Sequence, residues 1–470
     1  MERTYIKDLE SKKGETVVIK GWVDVRRDQG KLIFLDFRDM TGYVQGVVLP
    51  PKTDAAKAAM ETASKLRPEW VVEITGKVNP RPEKNAHKDK QNGTIELEIL
   101  GISVLNEAQT PPIDVRGDGR EIGEEPRLSF RYLDLRRPRL QKNIRRRHAV
   151  NLFIRNWLTK EGFTEIETPL LTKATPEGAR DYLVPSRVEQ GKFYALPQSP
   201  QQYKQLLMVA GFEKYFQLAR CMRDEDTRGD RQPEFTQLDL EMSFVTREDV
   251  MAVNERLLIE LIKTIAPHKK IQEIPFPRFT YKEAMEKYQS DKPDIRKDKN
   301  DPDLLAFCWV VDFPFFEKTD KGGWTFTHNP FSAPKPEHMD MLMKGENVGD
   351  ILTTQYDVAL NGFEIGGGSI RNHQAAALSK VLEIMGHSPE KIRENFGHML
   401  DAFSYGAPPH GGIAWGLDRL MAILENEPNI REVIAFAKTG EGRDLMMKAP
   451  ANAEPERLLE LGITIKKAQK

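Results

Sequence analysis

The chain is 470 residues long, with 39% apolar residues, 30% charged residues and a formal net charge of −1. This length suits roughly two to four domains with sizeable cores, and the charge balance excludes a histone-like polycation, so any nucleic-acid contact must use locally gathered cations. Two cysteines, Cys221 and Cys308, with no CxxC pair, argue against a disulfide framework or cysteine-rich zinc site; no apolar run approaches the roughly 18 residues of a membrane span and no signal-peptide core opens the chain, so the expected setting is cytoplasmic, with no membrane partner.

Residues 1 to about 105 read as short strands: Val17–Arg26, Lys31–Asp39, Tyr43–Leu49, Trp70–Val78 and Gly93–Ile99. In the second of these Ile33, Leu35 and Phe37 share one face and Phe34, Asp36 and Arg38 the other, the period of a half-buried strand. Asp54–Lys65 reads as a helix. The pattern predicts a small Greek-key barrel of the OB type over residues 1–105. Phe34 lies on the polar face, where an aromatic ring is either covered by another part of the protein or serves as a platform for an unpaired base. Residues 106–138 are broken by Pro111-Pro112 and several glycines and read as a connector. A basic stretch follows, Arg136, Arg137, Arg139, Lys142, Arg145, Arg146 and Arg147, which is either a track for a nucleic-acid backbone or a solvated helix face.

From residue 139 to 470 helices alternate with strands, an α+β pattern. Val150, Phe153, Ile154, Trp157 and Leu158 form a helical stripe ending at Gly162. Ser199-Pro200 predicts an N-cap and first-turn proline for a helix closed by Gly211. Thr246, with Asp249 three residues on, approximates a capping box, and Ser388-Pro389 starts another helix. Phe235–Phe244 and Ile365–Ile370 read as strands. The chain has no internal repeat.

The strongest chemical signal is a strand, charged loop and returning strand over residues 216–237. Arg223-Asp224-Glu225 and Arg231-Gln232-Pro233-Glu234-Phe235 flank the loop. Arginine supplies the forked cation that a triphosphate needs, and Phe235 is a flat apolar partner for a base. A GxxxxGK[ST] sequence is absent, so a P-loop does not hold the nucleotide.

This segment resembles motif 2 of class II aminoacyl-tRNA synthetases. Gly162–Pro169 resembles motif 1 and Gly412–Leu420 resembles motif 3, in family order. The resemblance runs along nearly the whole chain and is to the bacterial type of aspartyl-tRNA synthetase. It implies an antiparallel catalytic sheet flanked by helices, behind an anticodon-binding barrel. It also implies aspartate activation by ATP and transfer to tRNA-Asp, or, in a non-discriminating enzyme, to both tRNA-Asp and tRNA-Asn with an amidotransferase partner. Motif 1 implies a homodimer.

The resemblance assigns site residues by position. Arg223 and Arg419 act on the ATP phosphates and are the catalytic pair. The ATP site takes in Asp224, Glu225, Gln232, Phe235, Glu364, Gly416, Leu417 and Asp418 as well. Aspartate meets Glu177, Gln201, Lys204, Arg223, His328 and Arg371, with Lys204 and Arg371 as the cations for the side-chain carboxylate. Asp357 and Glu364 would hold Mg2+. Asn329 stands where many relatives have a second histidine, and Ala437 where they often have proline. Gly366–Gly368 read as a close approach of backbone to ligand, or as a bulge or turn. On the barrel, Arg26, Arg27, Gln29, Phe34, Gln45, Asn85 and Glu96 match anticodon positions. Asn85 suits the discriminating type; Gln29 suits neither. Only about eleven residues, 295–305, separate Ser290–Asp294 from Ala306–Pro314, where bacterial relatives usually carry a domain of about a hundred residues.

Overall fold

The computed structural model describes residues 2–174 and 178–466. It divides into two compact units, residues 1–115 and 116–470.

The first unit is a closed five-stranded barrel in the order β1-β2-β3-β5-β4. Its strands are β1 (Thr16–Asp28), β2 (Ile33–Asp39), β3 (Gly42–Val48), β4 (Val71–Pro80) and β5 (Ile95–Asn106), with helix α1 (Asp54–Lys65) between β3 and β4. Alternation fills the inside: Ile33, Leu35 and Phe37 are buried with Val23, Ile74 and Leu97. Thr53 caps α1 by accepting from Ala56 N–H, which satisfies an otherwise orphaned donor.

The second unit is built on an eight-stranded sheet. Its strands are β6 (Thr164–Glu165), β7 (Lys214–Met222), β8 (Glu234–Ser243), β9 (Arg278–Thr280), β10 (Phe307–Val311), β11 (Tyr356–Leu360), β12 (Phe363–Ile370) and β13 (His410–Gly416). The order is β9-β10-β11-β12-β13-β8-β7-β6. The interior pairings are antiparallel. The outermost pair at each edge is parallel, so the expected antiparallel sheet is mixed at its margins. Flanking helices are α2 (Glu124–Ser129), α3 (Arg131–Asp134), α4 (Pro138–Lys160), α5 (Gln201–Val209), α6 (Arg247–Ile265) and α7 (Leu417–Leu424). Val150, Ile154, Trp157 and Leu158 of α4 pack into the main core with Leu257, Leu258 and Leu261 of α6 and with Leu238 and Leu240 of β8.

Local chemistry sets the helix ends. Thr246 and Asp249 form a complete capping box, since aspartate also reaches back to the cap N–H. Helix α5 begins at Gln201, one residue later than expected, with Pro200 rather than Ser199 in the cap position. Gly211 takes φ +86° just after it, a backbone region that glycine enters without steric cost.

Much of the basic stretch is tied into ion pairs within the fold, while Lys142 and Arg145 remain exposed. Arg137 is fully buried and donates to Asp134 at 2.7 Å. Arg139 bridges Glu427 and Glu432, Arg146 and Lys142 meet Glu425, and Arg147 meets Asp418. Arg137 thus ties the start of α4 to α3, and the other cations bind α4 to α7 and the segment following it. The stretch expected as a connector also contains α2 and α3, whose Arg127 and Arg131 share Asp134 in the same network.

A candidate two-chamber ligand site on the central sheet

The site lies on β7, β8, β11, β12 and β13 and on the start of α5. Two adjoining cavities share Arg223, Glu225, Arg231, Gln237, Glu364 and Ala414 as a common wall.

The first cavity, of about 440 Å3, is polar and charged. Lys204 Nζ lies 2.7 Å from Asp239 Oδ2 and 3.4 Å from Glu241 Oε2. Arg371 forks onto Glu241 at 2.8 and 3.1 Å and donates to Ser369 Oγ at 2.9 Å. All four charged side chains are essentially sequestered from solvent. Two cations and two carboxylates leave the cluster neutral, which buried charge requires. Arg371 and Lys204 hold the Glu241 carboxyl below the usual range despite burial. Burial instead raises Asp239, although Lys204 opposes it. Asp239 Oδ1 is buried without a hydrogen-bond partner. Asp239 and Glu241 were not singled out from sequence, yet two acids at i and i+2 in Leu238–Met242 are a signal for a polar face on an otherwise apolar strand.

Gln201, Lys204, Arg223, His328 and Arg371 all line this cavity. Glu177 lies outside the described residues. His328 packs edge-on against Phe313 with centroids 4.8 Å apart, and burial lowers its pKa. Asn329 Oδ1 accepts from Phe331 N–H at 3.0 Å, shaping the loop beside it.

Asp357 and Glu364 converge on one point. A Cβ built on Gly367 would lie 2.7 Å from Asp357 Oδ1 and 3.6 Å from Glu364 Oε1. Burial, with Glu364 beside it, pushes the Asp357 carboxyl well up, while Gln355 partly opposes this. Two crowded carboxylates of this kind fit a hard divalent cation such as Mg2+. Among the described residues no cluster of three or more His, Cys, Asp or Glu side chains is poised for a metal, so remaining ligands would have to come from water or substrate. The neighbouring glycines serve strand packing: a Cβ at Gly366 would meet Trp415 at 2.7 Å and one at Gly368 would meet the Gly412 carbonyl at 2.1 Å. A bulge also falls here, opposite Val358 and Ala359.

The second cavity, of about 210 Å3, is lined by Gln232, Phe235, Gly416, Asp418 and Arg419 beside the shared residues Arg223, Glu225 and Glu364. The Arg223 guanidinium lies 5.1 Å from the Phe235 ring centre, within cation–π range. Arg419 donates to the Glu364 carbonyl at 2.7 Å and pairs with Asp230 at 3.2 Å. Arg231 pairs with Glu225 at 3.3 Å. Gln232 is clamped to the backbone of Lys438 through both ends of its amide. Asp418 accepts from Thr236 N–H at 3.2 Å and from Arg147, so its carboxylate ties α7 to β8 and α4. Two expected residues are not brought to this cavity's lining: Leu417 is buried in the core, and Asp224 N–H donates to the Arg180 carbonyl across an isolated bridge on the other side of the loop.

On the outer face of the barrel, Arg27 forks onto Asp36 at 2.8 Å through both nitrogens. Phe34 stands opposite Arg27 and Val47 and is half-buried. Gln45 Oε1 accepts from Arg81 at 2.5 Å. Arg81 also faces Glu96, whose carboxyl is raised by burial against that attraction. Arg26 donates to the Ser64 carbonyl. Gln29 lies in the β1–β2 turn, where its N–H donates to the Leu32 carbonyl, and Asn85 sits in a single helical turn between β4 and β5. Arg81 is a candidate that sequence reasoning missed; only its contact with Gln45 brings it into view.

Residues 123–440 match the family of class II tRNA synthetases (D, K and N), and residues 17–105 match the OB-fold nucleic acid binding domain. An aspartate–tRNA ligase of Staphylococcus carnosus is 38% identical, covering 96% of this chain and 97% of its own. An aspartate–tRNA(Asp) ligase of Deinococcus radiodurans is 39% identical over 96% of this chain and 97% of its own. An aspartate–tRNA(Asp/Asn) ligase of Bacillus subtilis is 38% identical over 97% of each chain. The first alignment runs over 578 positions against a chain of 470, so that relative has, in total, on the order of a hundred more residues than this chain. An asparaginyl-tRNA synthetase of Pyrococcus horikoshii, solved with asparaginyl-adenylate, superposes with a TM-score of 0.75 at 24% identity, covering 93% of this chain and 98% of its own.

Proposed function

This chain belongs to the class II tRNA synthetases (D, K and N), and from that premise we propose that it activates L-aspartate with ATP and transfers it to the 3′ end of tRNA-Asp. The observation that carries the reading is the shared wall: a polar chamber holding Lys204 and Arg371, sized for a small dicarboxylate, opens through Arg223 onto a chamber with an aromatic ring and a second arginine.

In this reading the aspartate side-chain carboxylate sits between Lys204 and Arg371, whose geometry Asp239 and Glu241 preset. The adenine stacks on Phe235, from which Arg223 withdraws toward the α-phosphate. Arg419 holds the distal phosphates. The aspartate α-carboxylate attacks the α-phosphorus, releasing pyrophosphate and leaving aspartyl-adenylate. The terminal ribose hydroxyl of the tRNA then displaces AMP. No side chain acts as nucleophile. Catalysis rests on positioning and on cations aimed at developing phosphate charge. Asp357 and Glu364 would hold Mg2+, which when bound neutralises phosphate charge.

The barrel face around Phe34, Gln45, Arg81 and Glu96 would read unpaired bases by stacking and base-edge hydrogen bonds. A homodimer through the Gly162–Pro169 region completes the proposal; Leu170 and Leu171 beside it are half-exposed apolar residues. Among the described residues no helix is long and apolar enough to cross a membrane.

The test is to charge tRNA-Asp and tRNA-Asn transcripts separately with labelled aspartate. Product on tRNA-Asp alone is the expected outcome. Product on both makes the enzyme non-discriminating, as the name of its Bacillus subtilis relative, an aspartate–tRNA(Asp/Asn) ligase, describes that enzyme, and calls for an amidotransferase to process the second product. No product on either overturns the reading.

A further inference from the structure

Helix α5 carries Gln201, Lys204 and Gln205 toward the sheet. Behind the aspartate chamber a line of hydrogen bonds runs from Gln201 through Gln205 to His410 and ends on a carbonyl. His410 Nδ1 lies 2.7 Å from the Pro408 carbonyl oxygen. A carbonyl only accepts, so Nδ1 carries the proton. In the neutral ring Nε2 is then an acceptor. The amide nitrogen of Gln205, 3.2 Å away, must donate to it. That orientation turns Gln205 Oε1 toward Gln201, whose Nε2 donates at 3.0 Å. Gln201 Oε1 is left over: among the described residues none of the hydrogen bonds engages it, and Gln201 lines the chamber.

We propose that His410 and Gln205 are positioning residues that set the polarity of the Gln201 amide, so that its oxygen faces the chamber as an acceptor for the α-ammonium of the substrate. The inference rests on the proposed aspartate activation. Without the relay either end of the Gln201 amide can face inward, and the NH2 end repels an ammonium.

The groups around His410 favour a neutral ring. It is fully buried on β13, and burial lowers its pKa. Glu241 on β8 and the Pro408 carbonyl oppose that effect, while Arg371 after β12 and His373 beyond it reinforce it. Protonation at Nε2 would reverse the line: Gln205 would present its oxygen to His410 and its NH2 to Gln201, and Gln201 would present NH2 to the substrate.

The test is aspartate-dependent ATP–pyrophosphate exchange on the full chain, comparing Gln205→Met, Gln205→Glu and His410→Gln with wild type. Gln205→Met breaks the relay, and KM for aspartate is expected to rise about tenfold or more, the cost of one misdirected charge-assisted hydrogen bond. KM for ATP and kcat stay within about twofold, because uniform aspartate binding is what is lost. Gln205→Glu keeps an oxygen toward Gln201 whether its carboxyl is protonated onto His410 or paired with a protonated ring, and it is expected to restore most of the aspartate affinity. His410→Gln leaves the polarity unforced and behaves like Gln205→Met in milder form. If Gln205→Met does not fold, the contrast between His410→Gln and Gln205→Glu decides. The proposal is overturned if Gln205→Glu is as impaired as Gln205→Met, or if kcat and both KM values move together. Absence of aspartate-dependent exchange in wild type sinks the proposed function itself, a different result.

Discussion

The polar chamber proposed for aspartate and the outer face of the barrel use the same materials, cations and acids in forked or single contacts, under opposite solvation. Lys204, Asp239, Glu241 and Arg371 are buried, whereas Arg27 and Asp36 keep 42% and 25% of their side chains exposed. A buried pair cannot trade its partner for water, so its geometry is rigid and each member depends on the others. An exposed pair gains little and exchanges readily with solvent or with a phosphate. A small, constant substrate suits the first arrangement; a long RNA that arrives and leaves suits the second.

The contrast breaks most visibly at Arg371. Arg371→Met leaves Glu241 with Lys204 alone, 3.4 Å away. Urea unfolding is expected to show a loss of about 3–5 kcal/mol. Aspartate-dependent exchange is expected to fall by about a hundred- to a thousandfold. Adding Glu241→Gln to the same chain removes the stranded charge and recovers stability without activity. Arg27→Met on the barrel, by comparison, costs under about 1 kcal/mol and leaves exchange intact. Equal stability losses at the two places would dissolve the comparison.

A second, smaller effect belongs to the paired carboxylates. Asp357→Asn is expected to raise the Mg2+ concentration for half-maximal exchange at least about ten- to a hundredfold, the range that outer-shell partners of a metal already command. An unchanged Mg2+ requirement would remove Asp357 from the cation site. Third is Phe34→Ala. If the ring stacks on a base, the charging KM for tRNA rises by the equivalent of about 1–3 kcal/mol, while tRNA-independent exchange is unaffected. A change in exchange instead would mean that Phe34 supports the fold.

Legibility in the sequence follows the same division. Barrel strands were readable because one face is apolar and the other polar, so Ile33, Leu35 and Phe37 declare themselves. The motif arginines were readable as resemblance, and the structure brings Arg223 and Arg419 to one cavity. What stayed hidden depends on partners far along the chain. Arg139 read as part of either a nucleic-acid track or a solvated face because Glu427 and Glu432 lie almost three hundred residues away. The acids that hold Lys204 and Arg371 sit on a strand whose neighbours are apolar, and local pattern does not say which basic residue will face them. His410 lies in the segment leading into motif 3, and only its carbonyl partner gives it a direction.

The smallest effect sets two glutamates against each other. Glu241 has its pKa lowered by Arg371 and Lys204 despite complete burial. Glu96 has its pKa raised, burial outweighing Arg81. The signs of their pH dependence are therefore opposite. The folded protein binds the Glu241 proton less tightly than the unfolded chain does. Glu241 thus contributes stability above the ordinary glutamate value of 4.5, and that contribution disappears as pH falls through its lowered value. The folded protein binds the Glu96 proton more tightly. Its contribution is greatest in acid and declines as pH rises from the ordinary value through the raised one. Glu96→Gln removes that decline, so toward neutral pH the variant is expected to be more stable than wild type by a few tenths of a kcal/mol, since solvent screens a half-exposed group. Glu241→Gln is expected to be less stable than wild type at neutral pH, with the gap narrowing in acid. Urea midpoints of the three chains between about pH 4 and 8, spanning the carboxylate range, measure both. Parallel curves for the two variants would mean that the partners around each carboxylate, rather than its burial alone, do not govern its charge.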